Sequence, residues 1–177
     1  MIQSTIIGSS RDTLYAPVRR LYESSFPLHE QRTPEQQDAA FASSGYRLTA
    51  YTGADGCLLG FIGSWRLGGR TYIEHFAVAS QLRGQGYGSR ILRQFTDGEQ
   101  ATVVLEIDPV TDATSAARLR FYERCGFVTN AFEHVHPAYR PEFAGHPLVV
   151  LSHGAQLTAE AYADFYRRLC HTVMRMP

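Results

Sequence analysis

The chain has 177 residues, a hydrophobic fraction of 44% and equal numbers of basic and acidic side chains, 17 of each. That length suits one domain over residues 1–177 with a full core, and zero net charge gives no basic field to gather nucleic acid. No apolar run approaches the roughly 20 residues that cross a membrane, and the first residues lack the basic-then-apolar pattern of a secretory signal.

The spacing of apolar residues predicts a strand over 2–7, then a helix over 13–25 with Leu14, Val18, Leu21 and Tyr22 on one face. A polar and aromatic loop follows. Thr33-Pro34 reads as an N-cap with proline at the first helical position, opening a short helix to about residue 42. Strands over 46–51 and 58–67 flank a turn at Asp55, and Gly68-Gly69 turns the chain into a third strand over 71–79. After a glycine loop come a helix with Ile91, Leu92 and Phe95 inward, a strand over 103–107 and a helix over 116–127. Strands over 128–135 and 148–151 and a helix capped by Thr158, at about 158–173, complete the chain. Antiparallel strands followed by a strand-helix-strand-helix unit predict a mixed α/β sheet.

The loop Arg83-Gly84-Gln85-Gly86-Tyr87-Gly88-Ser89 sits between a strand and a helix. Glycines at every second position leave the backbone bare, and N–H groups at a helix start attract phosphate. A Walker loop needs Gly-Lys-Ser/Thr, and the lysine is missing. A dinucleotide fingerprint fails in both registers, since Ile91 or Ser89 stands where its third glycine belongs. Glu106, about 20 residues on, is the one point in favour of that reading.

Arg83-Gly84-Gln85-Gly86-Tyr87-Gly88 fits Arg/Gln-x-x-Gly-x-Gly/Ala without a gap. With the downstream Phe121-Tyr122-Glu123-Arg124-Cys125-Gly126-Phe127, it resembles the acetyl-CoA loop and tyrosine helix of the GNAT superfamily of N-acetyltransferases. The resemblance implies a mostly antiparallel central sheet flanked by helices, with the acetyl-CoA loop between a central strand and a helix. It also implies transfer of an acetyl group from acetyl-CoA to a primary amine. Residues 83–89 would hold the pyrophosphate, the backbone of Phe76, Ala77 and Val78 would pair with the pantetheine, and the Val78 N–H would face the oxyanion. Ser115 stands where many relatives carry asparagine, and would cap its helix and donate to acetyl-CoA.

Acetyl transfer needs a neutral amine, a stabilised oxyanion and a proton for the leaving thiolate. Tyr122 is the candidate acid. Glu74 is the candidate base, because a carboxylate inside so apolar a strand calls for a reason, and strand alternation puts it on the face of Val78. His75, on the opposite face, reads as a core histidine. The acceptor would lie along Phe26, His29, Glu30, Arg32, Tyr139 and Arg140; a small-molecule amine and a peptide N-terminus both fit. His134 and His136 alternate on one strand, near His146 and His153, without a metal-binding spacing. The three cysteines, Cys57, Cys125 and Cys170, are widely spaced and read as free thiols of a cytoplasmic protein. A monomer and a homodimer are equally compatible with the sequence. A non-catalytic acyl-CoA sensor is the alternative on the same fold, and a dinucleotide-binding oxidoreductase the alternative on another.

Overall fold

The β-branched and alternating runs pair into one twisted sheet in a computed structural model that describes residues 1–175. β1 (Gln3–Ile7), β2 (Tyr46–Thr52), β3 (Leu58–Leu67) and β4 (Arg70–Val78) are joined as successive antiparallel neighbours. A helical crossover returns the chain to β5 (Thr102–Ile107), which lies parallel to β4. With β6 (Phe127–Thr129) and β9 (Val149–His153), the order is β1-β2-β3-β4-β5-β9-β6, antiparallel except at β4/β5. The strand predicted over 128–135 stops at Thr129. Val135–His136 (β7) and His146–Pro147 (β8) instead form a separate two-stranded ribbon.

Helices cover both faces. On one face lie α3 (Tyr87–Asp97) and α4 (Ala113–Arg124), which pack with Ile62, Ile73, Leu105 and Ile107. On the other lie α1 (Tyr15–Ser25), α2 (Pro34–Phe41) and α5 (Ala159–Arg168), packed over Phe61, Trp65, Tyr72 and Val104. Local chemistry sets several helix ends. Thr33 and Gln36 form a capping box over Pro34 at the start of α2, worth about 1 kcal/mol. The Thr158 side chain accepts from the Ala161 N–H and starts α5. That helix passes into a wider turn over Leu169–Val173, still buried at Leu169 and Val173.

Two irregularities shape the sheet at its middle. The β4/β5 ladder runs only from Arg70↔Thr102 to Ile73↔Leu105, after which the two strands splay apart. At the same point β4 bulges: Gly63 faces His75 while Ser64 faces Ile73, so Glu74 is an extra residue. The bulge breaks the expected alternation. Phe76 and Val78 pack with the α3/α4 core, while Ala77 joins the opposite one. Glu74 bonds Trp65, and His75 packs on Tyr22. Glu74 and His75 therefore share one face, and Glu74 does not share the face of Val78.

Candidate active site

The splay opens a cavity of about 980 Å³ that runs through the sheet. The glycine loop, Val78, Phe121 and Tyr122 line it on the α3/α4 side; Phe26, Glu30, Glu106, His136 and Tyr139 line it on the other.

On the first side, Gly84 and Gly86 have φ of +76° and +79°, in the left-handed region that favours glycine. Gly86 is the N-cap of α3 and offers no capping side chain, and the first turn holds no acid. Tyr87, Gly88 and Ser89 are thus already helical, and the positive end of the helix is left for an anion. Arg83, Gly84, Gly86, Gly88 and Ser89 line the cavity. Gln85 and Tyr87 do not: Gln85 donates back to the Gln81 carbonyl at 2.8 Å, and Arg90 lies over the Tyr87 ring. Phe76, Ala77 and Val78 line the cavity beyond the last β4/β5 pair, where the strand has β3 on one side only.

Ser115 departs from expectation. The N-cap of α4 is Asp112, whose carboxylate accepts from the Ser115 N–H at 2.7 Å. The Ser115 hydroxyl is committed to the same capping box, is buried, and does not reach the cavity lining.

Tyr122 reaches the cavity between Phe121 and Phe127, with ring centroids 5.1 and 5.8 Å away. Burial pushes its hydroxyl up to about 12, so the phenol keeps its proton throughout the neutral range.

Glu74, the candidate base, lines the cavity but is committed to a buried network. Its side chain is fully buried, and its Oε1 lies 2.6 Å from the Arg32 guanidinium. The Trp65 indole N–H donates to Oε2 at 2.7 Å and the Tyr139 hydroxyl to Oε1 at 3.0 Å. Burial alone would raise this carboxyl, but Arg32, His75 and the indole hold it at about 2. A carboxylate so saturated is a poor proton acceptor.

Arg32 moves with it from the acceptor list to the core. It is 5% exposed, lies outside the cavity lining, donates to the Val173 carbonyl and sits over the rings of Trp65 and Tyr139. Tyr139 does line the cavity, but its hydroxyl is spent on Glu74. His75 is a satisfied core histidine: Nε2 lies 3.0 Å from the Glu30 carbonyl, and burial lowers its pKa. Phe26 and Glu30 keep their places at the acceptor side, and Arg140 is held by its Nε on the Gln31 carbonyl.

Two further residues line the cavity at this side, Glu106 and His136. Glu106 sits with Val104 on the face opposite the α3/α4 helices and accepts from the Tyr72 hydroxyl and from His134. The sheet thus separates it from the glycine loop, so it does not serve a ribose there. His136, on β7, has Nδ1 2.7 Å from the Pro137 carbonyl, so that nitrogen carries the hydrogen. Its Nε2 is buried, has no hydrogen-bond partner, and lies 3.8 Å from the Glu106 carboxylate. In the neutral ring that nitrogen holds a lone pair without a partner, on a residue that lines the cavity. Glu106 was the one acid in an otherwise apolar run, 103–107, which is the same signal that had been assigned to Glu74.

The sequence matches the family model "Acetyltransferase (GNAT) family" over residues 15–127. The chain belongs to this family. The structure resembles a candidate GNAT acetyltransferase from Bacteroides thetaiotaomicron, 28% identical, with a TM-score of 0.85 and 96% of each chain covered. More distant acetyltransferases share the fold. A Bacillus subtilis acetyltransferase in complex with CoA is 16% identical, with a TM-score of 0.57 over 86% of this chain and 98% of that one. Spermidine N-acetyltransferase from Vibrio cholerae, in complex with CoA and spermine, is 13% identical, with a TM-score of 0.61 over 91% and 98%. Comparison with curated proteins finds no match. Among the described residues, no helix of this GNAT acetyltransferase is long and apolar enough to cross a membrane.

Proposed function

We propose that the protein is an N-acetyltransferase that moves the acetyl group of acetyl-CoA directly to a primary amine, borne by a small molecule or a peptide N-terminus. One observation carries the reading: a single cavity is lined by Tyr122 on one side of the sheet and, on the other, by His136, whose Nε2 has no hydrogen-bond partner.

The residues present fit acetyl-CoA. Gly84 to Ser89 at the start of α3 suit the pyrophosphate, and residues 76–78, unpaired on the β5 side, suit an extended amide chain that adds to the strand. The Val78 N–H is the candidate donor to the oxyanion. His136 Nε2 takes the proton from the attacking amine, and Glu106 beside it stabilises the imidazolium. Tyr122 gives its proton to the departing thiolate. The C–N bond forms first, placing the negative charge on the carbonyl oxygen, and the C–S bond then breaks, with no acyl-enzyme between. The cavity does contain Cys125, but burial raises its thiol, which lowers the thiolate fraction a nucleophile needs.

The test is calorimetric titration with acetyl-CoA, with NAD as control, followed by an amine screen that reads CoA release. Saturable binding of acetyl-CoA and amine-dependent CoA release support the reading. Binding without release for any amine favours an acyl-CoA sensor, and no binding sinks both.

A further inference from the structure

The cavity is electrically two-ended. On the α3/α4 side it is lined by Arg83, Arg93 and Arg124. On the acceptor side the lining carboxylates are Glu30, Glu74, Glu106 and Asp108. Glu74 is neutralised from behind the lining by Arg32, and Asp108 pairs with Arg118. Glu106 is bonded by Tyr72 and His134.

Glu30 is left over. Its side chain is 24% exposed, and among the described residues its one contact within ion-pair distance is the His29 ring, with Nε2 at 3.6 Å. Burial and the neighbouring Asp108 both disfavour its charge, so the carboxylate gains from any cation brought to it. A second observation points to a ligand at the same place. His136 is 1% exposed, and its Nε2 is buried without a partner. The His146 Nδ1 is likewise buried without a partner, and the His146 ring bridges His136 and His29 at centroid distances of 5.6 and 5.5 Å. A row of imidazoles thus leads from the proposed reacting point to Glu30.

We propose that the acceptor is a cationic amine with a second ammonium group, held by Glu30 while the reacting amine lies at His136. This rests on the transferase reading above. The second ammonium stays charged and unreacted; the proton released by the reacting amine goes to His136 Nε2. An acceptor carrying a carboxylate at that distance meets Glu30 and Asp108 with like charge.

The test compares α,ω-diamines of increasing length, each with the monoamine and the ω-amino acid of the same chain length, by kcat/KM for CoA release. The expected result is that the best diamine exceeds its monoamine by roughly ten- to a hundredfold, with the ω-amino acid poorest. Glu30→Gln, checked for folding by acetyl-CoA titration, should collapse the diamine-to-monoamine ratio toward one. Equal values for the three classes, a preference for the ω-amino acid, or an unchanged ratio in Glu30→Gln would overturn the proposal while the transferase reading stands. No CoA release with any amine would remove both.

Discussion

The Arg32 guanidinium grips the Glu74 carboxylate at 2.6 Å inside the core, joining the loop before α2 to the bulge of β4. Breaking a buried pair by removing one partner leaves an uncompensated charge, at a cost of about 3–5 kcal/mol. Glu74→Gln should therefore lower the melting temperature by about 10 °C while leaving kcat, measured well below that temperature, within a few-fold of the parent. A large loss of kcat in a folded Glu74→Gln protein would return Glu74 to the chemistry.

Tyr122 is the proposed donor to the thiolate. Tyr122→Phe keeps the ring and its packing on Phe121 and Phe127, so acetyl-CoA affinity should hold. Loss of a general acid should lower kcat by about a hundredfold or more. Unchanged turnover in steady-state assays would take the hydroxyl out of the mechanism.

His136→Gln removes the lone pair beside Glu106. The expected outcome is a drop in kcat of about a hundredfold or more. A variant that keeps the parent's turnover would show that another group takes the amine proton.

Gly86 has φ of +79° and caps α3 at the proposed phosphate site. Gly86→Glu adds backbone strain, bulk and negative charge where the helix start would meet an anion. Calorimetry should show no saturable acetyl-CoA binding; retained binding would move the site elsewhere.

Acid should unfold the protein in two stages. His75 has a lowered pKa in the folded state, so its contribution is present above the unfolded value of about 6.5 and is lost as pH falls below it. Glu74 is held at about 2, so its contribution is lost from about 4.5 downward as pH approaches that value. The urea midpoint should fall below about pH 6.5 through His75 and again below about pH 4.5 through Glu74; a flat upper stage would contradict the first assignment and a flat lower stage the second.

What the sequence made legible was local. Thr33-Pro34 and Gly86 announce helix starts through the backbone groups they satisfy or leave bare, and both lie at helix starts in the fold. The glycine loop and the Tyr122 helix likewise point to the family that the comparison establishes. The acceptor side was not legible in the same way. Glu74 and Glu106 look alike in sequence, each a lone acid in an apolar strand. They differ because Arg32, 42 residues earlier, neutralises Glu74, whereas His134 and His136 arrive at Glu106 on a segment that leaves the sheet at Thr129. Partners set by the tertiary fold, with no local signal, decide which acid faces the cavity with a proton acceptor beside it.

The extra residue in β4 acts on the strand as a frameshift acts on a message. Up to Ile73 the strand is read in one phase against β3, and from His75 in the other. Removing a single residue at 74 would restore an unbroken phase, and the side chains on one side of the cut would exchange faces. Phe76 and Val78 would turn away from the glycine loop's side of the sheet, or Tyr72 and Ile73 would trade the two cores. Point substitutions near the splay are thus a matter of degree, whereas a one-residue insertion or deletion there rewrites which face the strand offers to each half of the cavity.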